Sequence, residues 1–579
     1  MHHDGRPRTA IRSGLGIIAT TRLAILRVLA PLYRATLGWT SWGSSLATWI
    51  LARGFIRSIE LEVVNATHFR ELAEPQTHYE RFRAARLAAR RTDGPWRQEP
   101  GLLSFLTPVW NTPPQFLEGL SASVFRQDGG TDFEWFILDN GSTKAATREA
   151  LTHIGTHPCV RLERVPDNLG IIGAMRYCLE RATARYVLPL DSDDVLAPDC
   201  VHVVTRALAR ASYPPLAYTD EDKVEDGRFM EAFFKPDWDP VLFVNACYIA
   251  HLCAIDRVRA LSLGLYSDTS AEGCHDWDSF TRFLLAGHQP LHIPEVLYSW
   301  RMHRSSTARD IEAKPYVYES HRNLLNRFIA SRPGPDRFTV VPNVLFRHGL
   351  QLRLRRERVA PADISTVKLH SGFNMEALAR AVQAAQPDHH LIRFLWEGIE
   401  PDGNEWSWEA IGQFELFDDV AVVGGALHDG SRIIAGPIVF GFGGGIDSPD
   451  RGRLRRDPGY FGLMWRPHSV AAMSSGHMVV KREFLLQCLP ELRREDVPTA
   501  ILGPWLGGLA REAGKRTVFT PFMNARADQS PQDEVTAAAL ARFSARFAAL
   551  IPEVELYSPR LGLSTETAYR PVADIERAQ

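Results

Sequence analysis

The densest set of candidate chemical groups in the chain is the acidic run Asp191-Ser192-Asp193-Asp194, which follows directly on an apolar stretch, Tyr186 to Leu190, and precedes a helix opened by Pro198. Hard carboxylate oxygens at that spacing suit Mg²⁺ or Mn²⁺, ions that keep part of their coordination shell for water and substrate phosphates. Taken alone, the run favours the plainer reading of a turn and helix cap, where Asp is common. A second pair, Asp276 and Asp278 in Gly273-Cys274-His275-Asp276-Trp277-Asp278, stands just before an amphipathic stretch from Phe280 to Ala286 that ends at Gly287. A carboxylate there can accept the proton of an attacking hydroxyl or favour the start of a helix through its dipole, and spacing leaves both open. His303, in Trp300-Arg301-Met302-His303, has a metal-ligand reading and a surface-loop reading. Thr219-Asp220-Glu221-Asp222-Lys223 reads as a charged turn, and Phe234-Lys235-Pro236-Asp237-Trp238 follows within one loop length. Most charge runs are solvated surface, but aromatic rings mixed with charge suit sugar or diphosphate recognition.

The elements that must position these groups follow from the apolar pattern. Leu102 to Leu106, Trp135 to Leu138, Val160 to Val165 and Tyr186 to Leu190 are short apolar runs bounded by turn residues and are predicted as buried strands. Pro114 to Arg126, Thr143 to Ile154, Ile172 to Ala182 and Pro198 to Ala211 have helical length and spacing. Strand and helix in alternation imply an α/β fold with a parallel sheet, helices on both faces, and ligands at the carboxyl ends of the strands. Thr107 to Asn111, Asp139 to Ser142 and Asp191 to Asp194 all follow such strands, so polar and acidic residues converge on one sheet edge. Beyond Ile311 come a helix from Tyr316 to Ala330 and a strand pair around Val340 to Leu354; a third region opens near Asp388.

The bulk numbers bound the class. At 579 residues the chain exceeds one ordinary core, and 45% hydrophobic with 23% charged residues is globular composition. A net charge of -2 supplies no overall attraction to nucleic acid. Seven cysteines without CxxC spacing argue against a zinc ribbon or a disulfide framework and for a cytoplasmic compartment. Between Asp4 and Glu60 every charged residue is an arginine. This basic N-terminal arm, rich in Leu, Ile and Trp, has two readings of equal weight. It is either a set of amphipathic helices lying in a lipid interface, a peripheral membrane contact, or a helical cap packed on the next domain.

In order and spacing, "TPVWNTP", "ILDNGST", "PDNLGIIGAMRYCLERATARYVLPLDSDD", "YTDEDKVEDGRF", "FFKPDWDP", "CYIAHLC", "HDWDSFTRFLLAG" and "HIPEVLYSWRMHRSSTA" resemble the family 2 inverting glycosyltransferases of GT-A fold, in the branch that builds O-antigen and related bacterial surface polysaccharides. The resemblance runs from Leu103 to about Ala308. It implies a hexosyl- or deoxyhexosyltransferase that takes a nucleotide-diphosphate sugar donor and a lipid-linked or polysaccharide acceptor, at the inner face of the cell membrane. Thr107, Pro108 and Asn111 would then border the nucleotide, Asp139 would contact base or ribose, and Asn168, Arg176 and Asp191 would complete that side. Asp193 would hold the Mg²⁺ or Mn²⁺, with His303 a further ligand; Asp276 would be the catalytic base; Glu221, Trp238 and Trp277 would face the acceptor. His275 and Ser279 depart from the residues common in the family, which bears on acceptor identity.

The third region resembles the later half of the same fold, through "LIRFLWEGIEP", "VAVVGGALHDGSRIIAG", "AAMSSGHMVVKREFL" and "AILGPWLGGLAREAGKRTVFTP". It lacks the paired aspartates at Trp396-Glu397-Gly398 and any acid at Ile501-Leu502-Gly503-Pro504, so an inactive, acceptor-binding or oligomer-forming module is expected. The resulting division is an N-terminal helical region (1–98), a catalytic GT-A domain (99–310), a linker (311–385) and a degenerate GT-A-like domain (386–579). The rival function is a catalytically silent nucleotide- or glycan-binding scaffold in polysaccharide assembly. Nucleotidyl transfer would need a glycine-rich loop after the first strand, and Thr107 to Pro114 has none.

Overall fold

In a computed structural model the chain is described over residues 76–93, 99–303, 315–346, 351–357 and 364–572. The arginine-rich arm through residue 75 and the boundary expected at 310 lie outside the described residues. No described helix is long and apolar enough to cross a membrane.

After helix α1 (Gln76–Thr92), the four expected apolar runs form β1 (Leu103–Val109), β2 (Glu134–Asn140), β3 (Val160–Val165) and β4 (Tyr186–Pro189). β1 lies between β2 and β4 and β3 pairs with β2, all in parallel. Parallel neighbours need crossovers, supplied by α2 (Pro114–Phe125), α3 (Ala145–Ile154) and α4 (Gly170–Arg181). Beyond β4 the expected parallel run gives way to a mixed sheet. The later elements are β5 (Val195–Leu196), α5 (Cys200–Arg210), β6 (Leu216–Glu225), β7 (Arg228–Phe233), α6 (Pro240–Asn245), β8 (Cys253–Asp256), α7 (Arg257–Ser262), α8 (His275–Leu285) and β9 (Leu291–Arg301). β8 is antiparallel to β4, β6 antiparallel to β8, and β9 parallel to β6. The order is β3-β2-β1-β4-β8-β6-β9-β5, with β7 on β6. Two reversals leave β9 running with β4, so its carboxyl end reaches the same sheet edge. Because α8 leads back to the start of β9 at the opposite edge, its own first turn also sits at that edge.

Thr219 to Lys223 is not the charged turn expected but the continuation of β6. Its acids are paired rather than solvated: Asp220 accepts from the backbone of Lys235 at 2.9 Å and faces His292 Nε2 at 2.9 Å, while Asp222 accepts from Tyr79 at 2.6 Å and Arg83 at 2.6 Å. Such pairing offsets part of the cost of burying charge, which is what sends a charge run to the surface, while burial still raises the Asp222 carboxyl to about 6.

After α9 (Pro315–Ala330) and the hairpin β10 (Phe338–Pro342) and β11 (Leu352–Arg356), a second sheet begins at β12 (Ile364–Leu369), followed by α10 (Met375–Gln383), within the stretch expected as linker. Its further members are β13 (Leu391–Trp396), α11 (Trp406–Leu416), β14 (Val420–Gly424), β15 (His468–Val470), β16 (His477–Lys481), α12 (Arg482–Arg494), α13 (Leu502–Glu512) and β17 (Arg516–Phe519). β12 pairs in parallel with β13, β16 is antiparallel to both β13 and β14, and β14 is parallel to β17. This order, β12-β13-β16-β14-β17, repeats β1-β4-β8-β6-β9 in both direction and chain sequence. α11, α12 and α13 stand where α5, α7 and α8 stand in the first sheet. β2 and β3 have no counterpart among the described residues of the second sheet, as expected for a degenerate later half.

Both sheets share one apolar core, in which Phe243, Trp277 and Phe328 join Phe338, Val423 and Tyr460. A buried ionic hub adds to it. Glu295 of β9 binds Arg90 of α1 at 2.7 Å and Arg560 from the C-terminal segment at 2.6 Å, and Arg86 also contacts it. Arg90 reaches onward to Asp199 at 2.6 Å, where α5 begins. Burial pushes the Glu295 carboxyl up, but Arg560, Arg86 and Arg90 together hold it below the ordinary value. Removing one partner of a buried pair strands the other charge. Arg90→Ala is expected to cost ~3–5 kcal/mol, read by denaturant unfolding. Because the folded carboxyl is depressed, the stability supplied by Glu295 is complete above about pH 4.3 and is lost as pH falls through its lower folded value.

Candidate active site

The site is built where β1, β2, β4 and β9 end. After β4, the turn Asp191 to Asp194 is anchored by its last acid. Asp194 is fully buried, accepts the backbone N–H of Arg301 at 2.7 Å, and also accepts the Tyr298 hydroxyl. The Tyr298 oxygen in turn accepts the N–H of Asp191 at 3.4 Å. Asp194, part of the acidic run, is therefore a structural clamp between β4 and β9, and the clamp delivers the end of β9 to the turn. Burial, reinforced by Asp191 and Asp193, raises the Asp194 carboxyl well above its ordinary value. His303, just past β9, meets Asp193 with Nε2 to Oδ2 at 2.8 Å and stacks on Phe116 of α2 at 4.8 Å between ring centroids. Thr112 Oγ1 lies 2.7 Å from Ser192 Oγ, fastening the loop after β1 to the same turn.

Asp276 does not precede its helix, as the apolar pattern suggested, but lies in the first turn of α8, because the helix begins at His275. The two acids of that turn diverge. Asp278 is buried and paired with Arg282 at 2.9 Å and with Arg327, so it holds α8 to α9. Asp276 stays partly exposed, with His275 Nε2 at 3.6 Å, and lines a cavity of about 490 Å³. Asp191 keeps an exposed edge in the acidic turn, within electrostatic reach of both Asp193 and Asp276. Its carboxyl is raised by the low-dielectric walls around it and by Asp193 and Asp276, against the opposing pull of His251. Carboxylates far apart in sequence thus meet at one edge.

His251 is the functional-looking residue that sequence reasoning did not single out, although it stands in the quoted segment "CYIAHLC". Burial lowers its pKa, but Glu221 (Nδ1 to Oε2 3.8 Å), Asp191 and Asp276 raise it to about 9, so it is an imidazolium among acids. Glu221 lines the same cavity and also faces Lys235 at 3.4 Å. Burial would raise the Glu221 carboxyl, yet Lys235 and His251 bring it below its ordinary value.

On the nucleotide side, Asn111 adopts a positive φ of 55° and its side-chain oxygen accepts the N–H groups of Thr143 and Lys144, both at 2.9 Å. Asp139 is buried, accepts the N–H of Ser142 at 3.0 Å and faces Arg164 at 3.5 Å. Asn168 is held by the Asn140 amide at 2.9 Å and caps Gly170 at 2.8 Å. Gly141, with φ +72°, passes so close to this loop that a Cβ would sit 2.7 Å from the Asn168 nitrogen. Thr107 is wholly buried, with its hydroxyl accepting the Trp135 indole at 2.9 Å, while Pro108 beside it is half-buried. Arg176 is engaged with Glu180 at 2.6 Å and the Leu265 carbonyl at 3.2 Å. Trp238 is packed on Phe243 and Tyr248, and Trp277 donates its indole to the Phe243 carbonyl at 2.9 Å while stacking near His321. The structure gathers Asp191, Asp193, His303, Asp276 and Glu221, buries Thr107, and leaves Trp238 half-exposed.

Among the described residues no three His, Cys, Asp or Glu side chains form a metal cluster. Asp193 and His303 nevertheless put one carboxylate oxygen and one imidazole nitrogen at a single point, a partial donor set suited to an ion that takes its remaining ligands from water and phosphate. Tyr298→Phe is expected to leave a buried acceptor unsatisfied and cost about 1–3 kcal/mol of stability, measured by thermal or denaturant unfolding.

Comparison with known proteins follows the same geometry. Over 499 residues the chain is 26% identical to the uncharacterized protein y4gI of Sinorhizobium fredii, covering 76% of this chain and 54% of that one. It is 29% identical to the O-antigen biosynthesis protein RfbC of Myxococcus xanthus, over 36% of this chain and 16% of that one. The chain thus spans about half of the first relative and less of the second. Among solved structures, S. aureus TarS 1-349 in complex with UDP-GlcNAc is similar at 15% identity and a TM-score of 0.33, covering 40% of this chain and 66% of that one. Residues 104–252, which run from β1 through His251 to just short of β8, match the family model described as glycosyl transferase family 2.

Proposed function

We propose that the chain transfers a sugar from a nucleotide-diphosphate donor to a hydroxyl of a surface-glycan acceptor, with inversion at the anomeric carbon. The observation that carries this reading is that Asp191 lies near enough to both Asp193 and Asp276 for each of their charges to raise its carboxyl. One end of the site suits a diphosphate and the other an incoming alcohol.

In this reading the loop ends of β1, β2 and the Asn168 turn hold the nucleotide, with Asn111, Asp139, Asn168 and Arg176 around it and Pro108 at its border. Asp193 and His303 would hold Mg²⁺ or Mn²⁺, whose chemistry is to neutralise charge on the departing diphosphate. Asp276 takes the proton of the acceptor hydroxyl as that oxygen attacks. A single base and a single displacement invert the configuration. His251 places a positive charge between the carboxylates and keeps Glu221 ionised at the acceptor side, where the edge of Trp277 also reaches the cavity. The similarity to an O-antigen biosynthesis protein supports a surface polysaccharide as acceptor. The arginine-only arm supplies attachment to the cytoplasmic face of the membrane, where a lipid-linked glycan presents its hydroxyl.

Donor-dependent release of nucleoside diphosphate, with transfer to acceptor, is the direct test. Asp276→Asn is expected to lower transfer on the order of 10²–10⁴-fold while the nucleotide sugar still protects the protein against heating. Asp193→Ala is expected to abolish both transfer and the Mg²⁺- or Mn²⁺-dependent part of that protection. Full transfer by either variant overturns the assignment; donor protection without turnover in the wild-type chain would favour the silent scaffold.

A further inference from the structure

The cavity beside Asp276 is not closed by the catalytic domain alone. The segment after Gly459 in the second domain also lines it, contributing Phe461, Leu463 and Arg466 to a lining shared with Asp276, Cys247 and Trp300. This segment is fixed in place. The Tyr460 hydroxyl accepts the Phe234 N–H at 2.9 Å and donates to the Ala232 carbonyl at 3.1 Å. Phe461 stacks on Phe233 at 4.2 Å between centroids while remaining 37% exposed. Just beyond, Asp239 of the catalytic domain accepts both the N–H and the hydroxyl of Ser469 at 2.7 Å.

The charges of the cavity identify what is left unpaired. Glu221 has Lys235, Asp222 has Arg83, and Glu231 has Lys223. Arg466 has no carboxylate partner among the described residues. Its guanidinium donates to the Phe461 carbonyl at 2.9 Å and lies over Phe346, while its Nε is buried with no hydrogen-bond partner among the described residues. The nearest titratable neighbours do not neutralise it. His321, tilted against Trp277 at 4.3 Å between ring centroids, is driven down to about 3 by burial and by Arg466, and His468 is lowered by burial as well. A buried donor left unsatisfied is costly, and a planar guanidinium matches carboxylate and phosphate oxygens in two-pronged geometry.

Resting on the glycosyl-transfer reading above, we propose that the Gly459–Arg466 segment of the second domain is the acceptor-docking wall of the catalytic cleft, with Arg466 binding an anionic group, carboxylate or phosphate, on the acceptor glycan. Phe461 and Trp300 supply apolar faces on which the sugar ring packs. The second domain, which lacks the acids for its own reaction, thereby sets which acceptor presents its hydroxyl to Asp276.

The test is calorimetric titration of the full-length chain with a hexuronate-containing tetrasaccharide, its carboxyl-reduced counterpart, and a phosphorylated tetrasaccharide. The wild-type chain is expected to bind one anionic probe at least tenfold more tightly than the neutral one, and the preferred arm tells carboxylate from phosphate. Arg466→Gln is expected to erase that preference while donor protection against heating is unchanged. Arg466→Lys, which keeps the charge without the fork, retains part of it and guards against a folding defect in the first variant. Equal binding of all three probes by the wild-type chain, or an undiminished preference in Arg466→Gln, overturns the proposal. Nucleoside diphosphate release by the same wild-type preparation reads the transfer function separately: its absence alongside an intact anionic preference sinks that function and leaves the docking wall standing.

Discussion

The buried carboxylate of Asp194 is the constraint on which the site depends. It joins the end of β4 to the end of β9 through Tyr298 and the Arg301 backbone. Without that joint the acidic turn would be a mobile loop and His303 would have no reason to meet Asp193. Phe116 of α2 supports the same arrangement from beneath, stacking on His303 and lying under the Arg301 guanidinium. The last acid of the run is thus what holds its neighbour Asp193 against His303. Ligand geometry in such sites is set by groups that bind no ligand themselves.

A second constraint joins the two sheets. Their shared core, the Tyr460 hydroxyl on the β7 segment and Arg560 on Glu295 leave little freedom between them. The second sheet copies the strand order of the first and omits the two strands, β2 and β3, whose loop ends carry Asp139 and lead to Asn168. Where β4 is followed by Asp191 and Asp193, β13 is followed by Glu397-Gly398-Ile399 with no aspartate pair, and where Asp276 stands in the first turn of α8 the second sheet has Gly503 in the first turn of α13. A Cβ at Gly503 would lie 2.1 Å from the Met473 carbonyl. That position has been given over to packing, which is compatible with a wall and not with a base.

Much of the site was legible without coordinates because strand ends in an alternating α/β pattern share one edge. Asp191, Asp193, Asp276 and His303 were readable on that rule together with the family resemblance, and the structure gathers them. The charged run in β6 was misread as a turn because propensity treats Asp and Glu as solvated. Tyr79, Arg83 and His292, remote in sequence, satisfy those acids inside the fold. His251 carried no signal of its own type or spacing; its importance comes from the three carboxylates that tertiary packing sets around it.

The sequence by itself determined the alternation of strand and helix, the sheet edge on which the acids fall, and the missing acids of the second half, because these follow from local periodicity and residue identity. Only the tertiary structure decided that Asp278 and Asp194 are structural while Asp276 and Asp193 face the cleft. It alone buried Thr107 and brought Arg466, far along the chain from Asp276, into the lining of the same cavity. The physical reason is that pairing and burial are properties of what surrounds a side chain, and those surroundings are assembled from segments whose separation along the chain carries no information about their distance in space.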